Sequence, residues 1–180
     1  WPARCEALGL LDIGDVFVVP QLLHDDMLSE EQRKMSRRAL YPSAPDEQLP
    51  VSPLSIAERA LSLVLALNPN AKPFAIGGDH STALPIVRAL HGAGRAPFGI
   101  VQPDAHTDLL EERLGVRYCF ATWSYHANEL IGRGGRLVQV GVRASRRDQA
   151  HWEKTYGVRQ FWAETCRANP RSSSVVSPIA

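Results

Sequence analysis

The segment 99–108 (GIVQPDAHTD) carries Asp104, His106 and Asp108 at every second position, directly after an apolar run. In extended backbone, side chains at i, i+2 and i+4 project to the same side, so two carboxylates and one imidazole would share one direction. The apolar residues before them predict a buried strand that runs out into a loop. A polar loop with chance spacing is the alternative. Carboxylate and imidazole ligands together suit Mn, Fe or Zn rather than Ca.

The composition is that of a globular domain of ordinary size. The chain has 180 residues, of which 44% are hydrophobic, which is enough to bury a core. A net charge of +1 predicts no general attraction to nucleic acid or anionic membranes. We find no apolar run long enough for a membrane span and no signal-peptide pattern. Cys5, Cys119 and Cys166 form no CxxC pair and are interpreted as free thiols, which favours a cytoplasmic location.

Short apolar runs alternate with helical patterns along the chain. The runs predict strands at 10–19, 74–76, 98–101, 136–142 and 158–162. Capping boxes predict helices that begin at Ser29 and Ser55, and further helices are predicted from 81 and 122 and within 145–156. Strands that alternate with helices imply βαβ units and a mainly parallel sheet, in which ligands collect at the carboxyl ends of strands.

A glycine-rich turn, GGDHS at 77–81, follows the predicted strand 74–76. Two glycines let the backbone turn sharply and let other groups approach closely. We therefore expect His80 at a strand end, where Asp104 is also expected. The two residues together predict a metal site. Asp79 is expected to support this turn or to hydrogen-bond a ligand.

The motifs GGDHS at 77–81 and DAHTD at 104–108 together resemble two signatures of the ureohydrolases, the family of arginase, agmatinase and their relatives. The resemblance implies an arginase-like α/β fold, a three-layer αβα sandwich with a mainly parallel sheet, incomplete here at its C-terminus. It divides the chain into a partial arginase-like domain, 1–164, and a loose C-terminal tail, 165–180. A homo-oligomer is expected from the same resemblance.

The resemblance also implies two Mn²⁺ ions bridged by a hydroxide. His80, Asp104 and Asp108 are similar to the ligands of one ion. Asp104 would bridge to the second ion, which His106 would also bind. His126 resembles a family histidine that lines the substrate pocket, and it is expected to give a proton to the leaving nitrogen. A surface position on a helix is the alternative for His126.

The implied reaction is attack of hydroxide on a guanidinium carbon, followed by collapse to urea and an amine. Arginases continue after this motif with a polar run, whereas Leu109 and Leu110 stand here, so agmatine-like or guanidino-acid substrates are expected rather than arginine. The family's downstream Ser-x-Asp-x-Asp motif is missing, and the last aspartate is Asp148. We therefore expect a truncated chain that holds one ion or none. An inactive arginase-fold homologue and a formimidoyl-group hydrolase are the alternatives.

Overall fold

The computed structural model describes residues 2–14, 24–44 and 47–168. Two compact units divide the chain, Trp1–Ala57 and Glu58–Ala180. The α-helices are α1 (Pro2–Ala7), α2 (Glu30–Leu40), α3 (Pro53–Leu67), α4 (Ala83–Gly92), α5 (Trp123–Leu130), α6 (Gln149–Tyr156) and α7 (Ala163–Ala168). Short 3₁₀ helices span Asp25–Met27 and His80–Thr82, and the strands are β1 (Ile100–Pro103), β2 (Leu137–Val142) and β3 (Arg159–Trp162). Within the described ranges, each helix is too short or too polar to cross a membrane.

The three strands form one parallel sheet in the order β1-β2-β3, which confirms the predicted α/β class. The predicted strands 136–142 and 158–162 are confirmed, each beginning one residue later than expected. The predicted strand 98–101 lies instead at 100–103. Its start is set by pairing, because the N–H of Ile100 donates to the carbonyl of Arg136 at 2.8 Å. Apolarity alone cannot show where that pairing begins.

The core of the second unit lies beside the sheet. Leu109, Leu137, Trp152 and Val158 form a buried cluster, and Leu109 is fully buried. Burial of a leucine of this kind contributes about 1.5–3 kcal/mol to folding. Because Leu109 follows Asp108 directly, its burial anchors the carboxylate segment to the core.

Two strand predictions are not borne out. Residues 10–14 have no regular structure, and the rest of the predicted strand 10–19 lies outside the described residues. The run 74–76 is also irregular, with Phe74 79% and Ile76 76% exposed. An apolar run forms a strand only where a neighbour pairs with it, and among the described residues β1 pairs only with β2.

One predicted capping box is confirmed and the other is wrong. The hydroxyl of Ser29 accepts the N–H of Gln32, and the Gln32 side chain accepts the N–H of Ser29, so α2 begins as expected. Helix α3 begins earlier than Ser55, at Pro53. The Asp25 carboxylate accepts the N–H of the preceding residue, 52, at 2.8 Å. This contact just before α3 comes from a distant part of the chain, which a local motif cannot reveal.

The C-terminal part of the second unit remains helical further than expected. Helix α7 ends at Ala168, so the first residues of the predicted tail, 165–168, are helical. Residues 169–180 lie outside the described residues. The predicted helix within 145–156 begins at Gln149, because Asp148 accepts the N–H of His151 at 2.8 Å and caps α6.

Replacing Gly157 with alanine should destabilise the protein by about 1 kcal/mol. Gly157 ends α6 in the left-handed conformation, with φ +63°, and a Cβ there would lie 3.3 Å from the backbone nitrogen of Gly134. The matched control is Gly92→Ala at the end of α4, where φ is ordinary and the space is open. Urea unfolding should show Gly92→Ala to be neutral or up to about 1 kcal/mol stabilising, and equal effects of the two changes would contradict this account.

Candidate metal centre

His80 is held by a tight turn that Asp79 closes. The Asp79 carboxylate accepts the backbone N–H of Ser81 at 2.8 Å and also accepts its hydroxyl. A Cβ at Gly77 would collide with the side chain of Thr82, so this position requires glycine. The predicted role of Asp79 in supporting the turn is confirmed. Ser81 therefore lies in a 3₁₀ turn before α4 instead of capping that helix.

Asp104 follows β1 directly and is held at both carboxylate oxygens. Oδ2 lies 2.9 Å from Nδ1 of His80 and accepts an N–H from Gln102 at 2.9 Å. Oδ1 lies 3.4 Å from Nδ1 of His106 and accepts the backbone N–H of His106 at 3.0 Å. Each oxygen therefore has one fixed hydrogen bond and one imidazole beside it. This arrangement can bridge two cation positions.

Asp108 contacts the same ring nitrogen of His80 as Asp104 does. Its Oδ2 is 2.9 Å from Nδ1 of His80 and accepts the indole N–H of Trp123 at 3.0 Å. The Trp123 ring, which is buried, lies 4.6 Å from the His80 ring between centroids. Asp108 adopts φ +50°, a left-handed conformation that aspartate tolerates better than most residues. Trp123 thus contacts two candidate ligands, a role that the sequence pattern did not indicate.

The structure brings three of the four predicted ligands together. His80, Asp104 and Asp108 each offer one ligand atom, and these atoms lie within 4.8 Å of one another. His80 and Asp104 line an open depression together with Pro103 and other residues of the turn 77–82. The side chain of His106 is 64% exposed and lies at the opposite oxygen of Asp104, apart from this group of three. Metal binding by these four residues stays a prediction.

The carboxylates strongly affect the ionisation of the site. The hydrogen bond that the His80 ring donates to Asp108 raises the pKa of His80, and the charges of Asp108 and Asp104 add to it against the opposing effect of burial. Burial opposes ionisation of Asp104, but hydrogen bonds from His106 and Gln102 outweigh it and lower the pKa of Asp104. An imidazole must lose its proton to bind a metal, so a cation and a proton compete for His80.

His126 lies on α5 and contacts a neighbouring loop. Its Nε2 is 3.0 Å from the carbonyl oxygens of Glu111 and Arg117, so Nε2 must carry the proton that both oxygens accept. The rings of Tyr118 and Tyr125 pack edge-on against it. These contacts join α5 to the loop 111–118. Proton delivery by His126 to a leaving nitrogen stays a prediction.

We expect the contribution of His126 to stability to fall as pH falls. Burial lowers the pKa of His126 below its ordinary value, so the folded state favours the neutral ring. Its stabilising contribution is therefore complete above the unfolded pKa of about 6.5 and is lost as pH falls through the lower folded pKa. Urea unfolding of the wild type and His126→Ala should show a free-energy difference that is larger at about pH 7.5 than at about pH 5. A difference that does not change with pH would contradict this assignment.

Curated proteins resemble between about a half and two thirds of this chain. Arginase 2 of Arabidopsis thaliana is 32% identical over 112 residues, which are 62% of this chain and 32% of that protein. The N(1)-aminopropylagmatine ureohydrolase of Thermus thermophilus is 40% identical over 87 residues, 48% of this chain and 28% of that protein. The chain thus spans about a third of the length of these curated relatives.

The fold also has solved counterparts. A variant of Trypanosoma cruzi formiminoglutamase, solved with Mn²⁺, superposes with a TM-score of 0.60 over 92% of this chain and 46% of that chain. At 21% identity this similarity bears on the fold alone. The model of the arginase family matches residues 3–177. Because that match covers nearly the whole chain, this protein belongs to the arginase family.

Proposed function

We propose that this chain supplies part of the active site of a Mn²⁺-dependent ureohydrolase, which cleaves a guanidino C–N bond and releases urea. The observation that carries the proposal is the placement of Asp104. Its two oxygens lie beside two different imidazoles, those of His80 and His106, at 2.9 and 3.4 Å. A carboxylate placed in this way suits a pair of cations that share one ligand.

The residues present fit manganese by their donor chemistry. Carboxylate oxygens and imidazole nitrogens are ligands that Mn²⁺ accepts, and the described site contains no thiolate in its donor group. His80, Asp104 and Asp108 would hold one ion, and Asp104 with His106 would contribute to a second. Bound divalent cations would polarise a water molecule and supply a nucleophile near neutral pH.

The surrounding residues keep these ligands in place for that chemistry. Trp123 donates to Asp108, and Gln102 donates to Asp104, so both carboxylates have fixed orientations. The proposed reaction adds water to the guanidinium carbon and breaks its bond to the substituted nitrogen. Both protons of the water end on the leaving nitrogen, which departs as an ammonium group, and the water oxygen stays on the carbon of urea. Fixed carboxylates of this kind also exclude alternative rotamers that would not reach a cation.

We propose an agmatine-like substrate, a guanidino compound without an α-amino acid head. Leu109, the residue after the last candidate ligand, is buried in the core, and Leu110 is 46% exposed and apolar. Neither of these leucine side chains can hydrogen-bond an amino acid head group at this place. The ureohydrolase of T. thermophilus, whose substrate is named as an agmatine derivative, is 40% identical over the matched segment.

A urea-release assay tests the proposal. A version of the protein extended to full length would be incubated with Mn²⁺ and, in separate reactions, with agmatine, arginine, a guanidino acid and formiminoglutamate. We expect urea to be released faster from agmatine than from arginine. We also expect the His106→Ala variant to release no urea. Formamide release from formiminoglutamate would support the alternative hydrolase. Mn²⁺ binding by the full-length protein without turnover of any of the four compounds would contradict the proposed activity.

A further inference from the structure

A row of buried glutamines crosses the sheet and ends at the candidate metal site. Gln102 on β1, Gln139 on β2 and Gln160 on β3 are direct neighbours in the parallel register. Each is at most 3% exposed. Burying three polar side chains side by side is costly unless their hydrogen bonds are satisfied. The row therefore needs a physical reason beyond packing.

The hydrogen bonds of this glutamine row all run in one direction. The indole N–H of Trp162 donates to Oε1 of Gln160 at 2.9 Å, and Nε2 of Gln160 donates to Oε1 of Gln139 at 2.7 Å. Nε2 of Gln139 donates to Oε1 of Gln102 at 2.7 Å. Nε2 of Gln102 then donates to Oδ2 of Asp104 at 2.9 Å. Each amide oxygen thus accepts an N–H from the previous member of the chain of bonds, and each amide nitrogen donates toward Asp104.

The ends of the glutamine row fix its direction. An indole N–H can only donate, and an ionised carboxylate can only accept, so flipped amides would place like groups together. Two branches reinforce this polarity. Ser124 donates to Oε1 of Gln102 at 2.7 Å, and the second N–H of Gln139 donates to the carbonyl of Thr107. Both branches join the row to the segments that carry Asp108 and Trp123.

We infer that the glutamine row is a positioning device that fixes the rotamer of Asp104 for metal binding. This inference rests on the proposed function, because it assigns a role at the same site. Gln139 and Gln160 act through Gln102 and do not touch a ligand themselves. Aligned hydrogen bonds polarise one another in a buried network, so losing a distant link weakens the last one. Groups that orient metal ligands commonly change metal affinity by about 10- to 100-fold when removed.

Mn²⁺ binding to the 180-residue chain tests this role, followed by electron paramagnetic resonance. Gln139→Met removes the donor to Gln102. Gln160→Met removes the donor to Gln139, and two hydrogen bonds, Gln139 to Gln102 and Gln102 to Asp104, still lie between that change and the metal site. We expect the Mn²⁺ affinity to fall about 10-fold or more in Gln139→Met and by a smaller factor in Gln160→Met. The paramagnetic resonance spectrum of bound Mn²⁺ should change in both variants. Ser124→Ala, which keeps all three glutamines, should shift affinity in the same direction. A two-dimensional spectrum of the metal-free chain should also show the Gln102 side-chain amide displaced in Gln160→Met.

The control is Leu65→Ala, which removes a buried side chain on α3 outside both the glutamine row and the core cluster of Leu109. It should lower the unfolding temperature without changing Mn²⁺ affinity or the resonance spectrum. Wild-type binding with unchanged affinity in Gln139→Met, Gln160→Met and Ser124→Ala would overturn the positioning role alone. A wild-type chain that binds no Mn²⁺ would overturn the proposed function and the positioning role together.

Discussion

Changing Asp104 to asparagine is expected to weaken Mn²⁺ binding on the order of 100-fold or more. The change removes a negative charge and replaces one oxygen with an N–H group that cannot bind a cation. Both oxygens of Asp104 accept backbone or side-chain N–H groups and lie beside imidazoles, so either orientation of the amide places an N–H against a donor. Calorimetric titration with Mn²⁺ measures the loss.

The same chemical change at Asp148 is the control. Asp148 caps α6, and asparagine serves as well as aspartate at a helix N-cap. Asp148→Asn should therefore leave Mn²⁺ affinity and stability unchanged. If the Asp104 and Asp148 variants bind Mn²⁺ equally tightly, Asp104 is not a ligand.

Replacing Leu109 with alanine is expected to lower the free energy of unfolding by about 2–5 kcal/mol. Leu109 has no exposed surface and packs in the cluster with Leu137, Trp152 and Val158, so the change leaves a cavity. Because Leu109 is covalently next to Asp108, we also expect weaker Mn²⁺ binding as the segment loses its anchor. Denaturant unfolding with and without Mn²⁺ measures both effects.

An exposed leucine in the loop that follows provides the comparison. Leu114 is 96% exposed, so Leu114→Ala removes the same atoms without opening a cavity. Its effect on stability should lie within about 0.5 kcal/mol. A loss at position 114 that matches the loss at position 109 would mean that the core described for this unit is wrong.

The sequence predicted the ligand region well where the backbone is extended and less well beyond it. Alternation holds along β1, so Gln102 and Asp104 do share a side and are hydrogen-bonded. The strand ends at Pro103 and the chain bends at residues 105 and 106, so the alternating geometry does not continue to His106, and Asp108 beyond it has φ +50°. His106 accordingly lies at the other oxygen of Asp104 with an exposed side chain.

Other parts of the site depend on contacts that no local pattern contains. Trp123 reaches Asp108 from α5, which is 15 positions away along the chain. The glutamine row did leave a signal, since Gln102, Gln139 and Gln160 each interrupt a short apolar strand. Only the register of the sheet shows that these three side chains are neighbours. The run 74–76 is the opposite case, because it is apolar enough for a strand but has no pairing partner among the described residues.

The central claim is that Mn²⁺ binds between His80, Asp104 and Asp108, and the indole proton of Trp123 can test it directly. Paramagnetic Mn²⁺ broadens nuclear resonances with an effect that falls steeply with distance. Trp123 donates to Asp108 and packs on His80, whereas Trp162 lies on β3, which is two strand spacings, about 10 Å, from β1. Stepwise addition of Mn²⁺ should therefore remove the Trp123 indole signal before that of Trp162, and His80→Ala should abolish this order. Equal broadening of both signals, or a Trp123 signal that survives excess Mn²⁺, would contradict the proposed site.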